Sequence, residues 1–156
     1  MQLRAAKAAD LEHIATLWHA AWHDAHAALV PPALLPHRSL EHFRGLAEQQ
    51  WTQITVAVQA GAIAGFAGVD DDELELLFVH RTARGTGVAG ALIGWGEREI
   101  ARRFARAYLV VVEGNARARS FYERCGWRDV GLEDYVAMTP EGGIPVSSRR
   151  YEKSVV

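Results

Sequence analysis

Arg84-Gly85-Thr86-Gly87-Val88-Ala89 is the stretch that decides the fold, because it joins a strand-like apolar run, Leu74-Glu75-Leu76-Leu77-Phe78-Val79, to an amphipathic helical pattern. In that helix Val88, Leu92, Trp95, Gly96 and Ile100 recur toward one side. A helix that begins at Gly-Thr-Gly aims unpaired N–H groups and the positive end of its dipole at any anion seated there. The glycines let a ligand reach the main chain with no Cβ in the way. The expected feature is a phosphate seat at a strand-to-helix junction.

Gly85-Thr86-Gly87-Val88-Ala89-Gly90 also fits the dinucleotide fingerprint G-x-G-x-x-G, and Glu113 stands near the distance at which a ribose-binding acid is sought. That fingerprint places its first glycine directly after the strand, whereas His80-Arg81-Thr82-Ala83-Arg84 intervene here. After Glu113 there is room for one short helix and a hairpin, too little for a doubly wound domain. A P-loop is disfavoured as well, since no Gly-Lys-Ser/Thr follows.

With 156 residues, 49% of them hydrophobic, the chain is expected to form one domain over residues 1–156. Its 17 basic and 19 acidic residues give a formal charge of -2, so no global field draws it to nucleic acid or to an anionic membrane. Any anion site must be local. Cys125 is the only cysteine, which excludes an intrachain disulfide, and beside Gly126-Trp127 it reads as an apolar filler. With no basic-then-apolar leader and no long apolar span, the expected compartment is the cytoplasm.

Working outward, Gln2 to Ala5 reads as a first strand, and Asp10 as the cap of a helix carrying Leu11, Ile14, Trp18, Ala21, Trp22 and Ala25. Pro31-Pro32 ends that region, and Ser39 caps a second helix through Leu40, Phe43 and Leu46. Ile54 to Val58, Ala62 to Val69 and Glu73 to Val79 read as three antiparallel strands, turned at Gln59-Ala60-Gly61 and Asp70-Asp71-Asp72. A right-handed crossover then makes Tyr108 to Val112 the parallel neighbour of Leu74 to Val79. A short helix from Ala116 to Arg124 precedes a hairpin of Trp127 to Met138 and Val146 to Glu152, turned at Pro140-Glu141-Gly142-Gly143.

In this order the chain resembles the GNAT (GCN5-related) N-acetyltransferase family over nearly its whole length. Leu77-Phe78-Val79 with Arg84 to Ala89 fits that family's acyl-CoA pattern, and Asn115, Ala118, Phe121-Tyr122 and Gly126-Trp127 resemble its later segment. The resemblance implies the acyl-CoA N-acyltransferase fold, an α/β (α+β) architecture with about four helices. Its sheet would be mixed, mostly antiparallel and seven-stranded, with a V-shaped splay between strands 4 and 5. It also implies acetyl-CoA as acyl donor, no metal, and direct attack by a primary amine.

By the same resemblance, Arg84, Gly85, Thr86, Gly87, Val88 and Ala89 would wrap the CoA pyrophosphate. The Phe78 and Val79 main chain would pair with the pantetheine arm, and Arg81 would add charge. Tyr122 would protonate the departing thiolate; the competing reading is a core aromatic, although Phe121 and Tyr122 should not both face inward on one helix. Asn115 either bonds pantetheine or caps the short helix. For the base, Glu75 is preferred over Glu73, with His80 as a third choice. The two glutamates lie two apart and share a strand face, leaving Leu74 and Leu76 the other.

His19, His23 and His26 at helical spacing form a polar flank rather than a metal set. Trp22, His26 and the His37 region are candidates for shaping the acceptor pocket. The expected partner is a small-molecule amine, with a homodimer as a candidate assembly. The alternatives are a protein N-terminal or lysine acetyltransferase and a non-catalytic acyl-CoA-binding module.

Overall fold

The computed structural model describes residues 1–156 and contains a seven-stranded sheet in the order β1-β2-β3-β4-β5-β7-β6. Strands β1 (Gln2–Ala5), β2 (Ile54–Gln59), β3 (Ala62–Asp70) and β4 (Glu73–Val79) pair antiparallel in succession. The β2–β3 reversal is Ala60-Gly61, with φ of 52° and 79°, the handedness a tight hairpin demands. Beyond β4, β5 (Arg106–Val112) pairs antiparallel with β7 (Gly142–Ser154), and β6 (Arg128–Thr139) lies outside β7.

Only β4 and β5 run parallel, connected through α3 (Val88–Ala101), and their ladder has one position, Glu73 opposite Tyr108. The Tyr108 N–H also donates to Asp72 O at 3.0 Å. Past this point the strands part, and the sheet opens as the expected V.

Helices cover both faces. On one, α1 (Leu11–His26) and α2 (Leu40–Gln50) bury Ile14, Trp18, Phe43 and Ala47 against Val56, Phe66 and Leu76. On the other, α3 buries Val88, Leu92, Ile93 and Ile100 against Ala57, Ala67, Leu74 and Leu109, with α4 (Ala116–Arg124) packed alongside. No helix is long and apolar enough to cross a membrane.

Four local expectations are corrected. Asp10 does not cap α1 with its side chain. Its carboxylate turns back to Arg4, at 2.7 and 3.1 Å, and to the Lys7 N–H, because a nearby guanidinium offers a stronger charge-assisted bond. Pro31-Pro32 ends α1 but also starts a 3-10 helix, Pro32–His37, since a proline in a first helical turn forfeits no hydrogen bond. Leu34 of that turn and Val30 before it meet Ala137 and Val146, tying the α1–α2 segment to the β6–β7 hairpin. That hairpin turns on Pro140-Glu141 alone, held by Thr139, which donates to Gly142 O at 2.7 Å and accepts from Glu141 N at 3.1 Å.

Strand β4 also departs from the expected alternation. Gly68 pairs with Leu76 but Val69 with Leu74, so Glu75 is the extra residue of a β-bulge. The bulge breaks the two-residue alternation. Leu74 therefore packs toward α3 while Leu76 packs toward α1 and α2, contrary to the shared face expected for them.

Candidate active site

Between Val79 and the first glycine, Arg81–Ala83 forms a 3-10 turn that buries Ala83 and lifts the chain away from the strand end. His80 stabilises that turn through Nδ1, which accepts from Thr82 N at 3.1 Å, so this histidine serves the loop. Gly85 (φ 77°) and Gly87 (φ 90°) are left-handed, and a Cβ at either would meet nothing within 4 Å. Conformation, not crowding, demands glycine there, and the approach is open. The N–H groups of Gly85, Gly87, Val88, Ala89 and Gly90 donate to no group of the chain, so five donors surround the start of α3. With the helix dipole behind them they form an anion seat. The Thr86 N–H is spent on Ala83 O at 3.3 Å, and its hydroxyl donates to the same oxygen.

The Arg84 guanidinium, expected at the phosphates, is paired with Asp24 of α1. That pairing holds the Asp24 carboxyl below the usual carboxylate range. The backbone of the loop is thus free for an anion, while its arginine is engaged.

The V between β4 and β5 opens into a cavity of about 840 Å³, walled by Leu76 to Val79 on one side and Leu109 to Val112 on the other. The His80 N–H donates to Ala64 O at 2.7 Å, which fixes the alternation: Phe78 faces β3, and the peptide groups of Leu77 and Val79 face the gap. Of the two main chains expected to meet pantetheine, Val79 is presented and Phe78 is not. Leu77 is the second residue whose peptide groups face the gap, and the sequence alone does not mark it.

Asn115 caps α4, its Oδ1 accepting from Ala118 N at 3.2 Å, while the residue also borders the cavity. Tyr122 borders the cavity too, and its hydroxyl has no hydrogen-bond partner within the chain. Burial pushes its phenol well above the usual range, so it stays protonated at neutral pH. The Trp127 N–H donates to Tyr122 O at 2.9 Å, locking the end of α4. Phe121 and Tyr122, expected to point apart, both border the cavity and both pack on the α3-side core, with rings 5.6 Å apart. The helix ends at the mouth of the V, where core and cavity meet over a wider arc than one face.

Glu73 and Glu75 both line the cavity. Glu75 does so from the bulge. Partial burial raises both carboxyls, with repulsion from Glu75 acting further on Glu73 and from Asp70 on both. The Tyr108 hydroxyl donates to Glu73 at 3.3 Å. Glu73 therefore has a partner, whereas Glu75 makes no hydrogen bond through its side chain.

Opposite, α1 contributes Trp22 and His26, the α1–α2 segment Arg38, and α2 His42. Trp22 and His26, candidates for shaping an acceptor pocket, thus line the cavity. His37 instead turns outward toward Glu141, at 3.8 Å, and its neighbour Arg38 faces the cavity. Nothing in the sequence marks Arg38, which reads as a loop arginine between a proline-rich turn and a cap. His23 and His26 use ring nitrogens on Arg38 O (2.6 Å) and Trp22 O (3.0 Å), so these two histidines are committed to the backbone.

The same architecture occurs in solved acetyltransferases. Ribosomal-protein-alanine N-acetyltransferase from Brucella melitensis superposes with a TM-score of 0.73 at 20% identity, over 99% of both chains. The PaiA N-acetyltransferase from Thermoplasma acidophilum, solved with coenzyme A, gives 0.69 at 16% identity over 98% of both chains. YncA from Salmonella typhimurium, solved with its cofactor acetyl-CoA, gives 0.73 at 16% identity, covering 100% of this chain and 94% of that one. Comparison with curated proteins finds no sequence match. The profile of the acetyltransferase (GNAT) domain matches residues 33–140, which span the cavity walls, the glycine loop and α4. The chain belongs to the GNAT acetyltransferase family.

Proposed function

We propose that this protein transfers the acetyl group of acetyl-CoA to a primary amine of a small molecule by direct attack. The observation that carries the proposal is the meeting, in one cavity, of the glycine loop with its free N–H groups, an open strand edge, and a half-buried tyrosine whose hydroxyl has no partner in the chain. The pyrophosphate sits on the Gly85–Gly90 amides, and pantetheine lies in the V as a strand, bonding the Leu77 and Val79 peptide groups. That the acceptor must enter a walled cavity favours a small amine over a protein segment.

In the reaction, the neutral amine attacks the thioester carbonyl carbon, forming a C–N bond as the C–S bond breaks. The surplus amine proton passes to the Glu75 carboxylate, directly or through water, and the departing thiolate takes a proton from the Tyr122 hydroxyl. Burial and Asp70 raise the Glu75 carboxyl, which makes it a stronger base than an ordinary carboxylate. Its lack of an internal partner favours it over Glu73.

Tyr122→Phe tests the reading. General-acid catalysis contributes about 10²–10⁴-fold, so kcat should fall by that order while the acetyl-CoA Kd changes little. An unchanged kcat would remove Tyr122 from the mechanism.

A further inference from the structure

Arg38 is buried, 8% exposed, yet no carboxylate lies within ion-pairing distance of it. Its guanidinium donates to His37 O at 3.0 Å and Met138 O at 3.3 Å, and lies 6.0 Å from the Trp22 ring. A guanidinium has five N–H donors, so these two bonds leave about three unspent. Burial lowers the affinity of Arg38 for its proton, and the Tyr135 phenol is the only acidic group that acts against this. An arginine nevertheless stays charged at neutral pH. A buried cation without a counter-charge is costly, and two carbonyls and one aromatic face offset only part of that cost.

The setting points the unspent charge at a ligand. Arg38 borders the cavity, as does His42, whose proton affinity is lowered by burial and by the neighbouring positive charge, leaving a neutral imidazole that can donate one more hydrogen bond. The Glu73 and Glu75 carboxylates line the same cavity from β4, and Trp22, Phe43 and Leu46 supply apolar surface. One cavity thus holds groups that attract an amine and a planar fork that matches a carboxylate.

From this juxtaposition we propose that the acceptor amine carries a carboxylate, as a free amino acid does, and that Arg38 binds that carboxylate and sets the specificity. The inference rests on the acetyl-transfer reading for the role of the ligand, but the anion site itself does not. It disfavours protein N-termini and lysine side chains, which bring no carboxylate at a fixed place beside the amine.

The test compares phenylalanine, leucine, methionine and glycine with their carboxamides. A carboxamide's amine is less basic, so the free base needed for attack is more abundant, and intrinsic reactivity works against the prediction. Thiol release should favour the acids by ~10- to 100-fold in kcat/KM, in the range expected of charge-assisted hydrogen bonds. Arg38→Met should erase the preference with little change in the acetyl-CoA KM, and Arg38→Lys should keep part of it. In parallel, calorimetry on the CoA-bound protein compares N-acetylphenylalanine with its carboxamide, a readout that needs no turnover.

Turnover with acids and amides equal, or a preference that survives Arg38→Met, would overturn the inference while leaving acetyl transfer standing. Selective binding of the N-acetyl acid without turnover of any amine would uphold the carboxylate site and sink the transfer reading. If the acid and its carboxamide bind equally, or neither binds, Arg38 is a structural strut.

Discussion

Gly87 offers a test in which the penalty must appear in one of two measurements. It caps α3 at φ 90° and ψ 0°, a left-handed conformation that costs an L-residue about 1–2 kcal/mol. A Cβ there meets no atom within 4 Å, so Gly87→Ala adds backbone strain without a clash. If the loop keeps its shape, the folded state loses that 1–2 kcal/mol and Tm falls. If the loop relaxes instead, the free N–H groups of Gly87, Val88 and Ala89 no longer converge. CoA must then restore them on binding, which weakens Kd by roughly 5- to 30-fold. Gly94→Ala is the control, since it lies within α3 and meets only the flexible end of Arg98, at 3.3 Å. It should stabilise by about 0.5–1 kcal/mol and leave CoA binding alone. Thermal melts and calorimetric titration of both variants decide the matter. A Gly87→Ala protein with unchanged Tm and unchanged Kd would refute the role assigned to the loop.

Asp24→Ala frees Arg84 for the phosphates; because an exposed ion pair is worth at most about 1 kcal/mol, acetyl-CoA should bind up to about fivefold tighter, and titration showing weaker binding would contradict this. Asp10→Asn should cost roughly 1–3 kcal/mol at pH 7, measured by denaturant unfolding. The Arg4 bonds hold the Asp10 carboxyl low in the folded state, so its stabilisation is present above the unfolded value of about 4 and disappears as pH falls through the lower folded one. The gap between Asp10→Asn and wild type should therefore close in acid. Glu75 has the opposite sign: burial and Asp70 raise its folded value, so its ionisation destabilises the fold as pH rises. Glu75→Gln should raise Tm at pH 8 and leave it unchanged near pH 4 while slowing transfer, and a lower Tm at pH 8 would count against the burial of this charge.

The elements were legible wherever periodicity or turn chemistry is local. The α1 stripe through Ile14 and Trp18, the Ser39 cap and the glycine loop follow from spacing alone, and Ser39 does accept from His42 N at 3.2 Å. Illegible features depend on residues distant in sequence. Asp10 is drawn from its helix by Arg4 on a neighbouring strand, and the Glu75 bulge is a mismatch of register with β3 that no pattern within β4 displays. Which peptide groups face the gap follows from that pairing too: those of Leu77 and Val79 do, whereas Phe78 is paired with β3. Arg38 was invisible because its significance lies in the absence of an acid around it, a property of the packed α1–α2 segment and β6.

Amine-dependent cleavage of acetyl-CoA at Tyr122 is measured directly by free-thiol release under a panel of small amines. CoA should be released only when an amine is present, in step with the N-acetylated product, and Tyr122→Phe should slow it about 10²-fold or more at undiminished acetyl-CoA affinity. Tight acetyl-CoA binding with no amine-dependent thiol release across amino acids, simple amines and peptides would contradict it and leave a protein that binds the cofactor without using it.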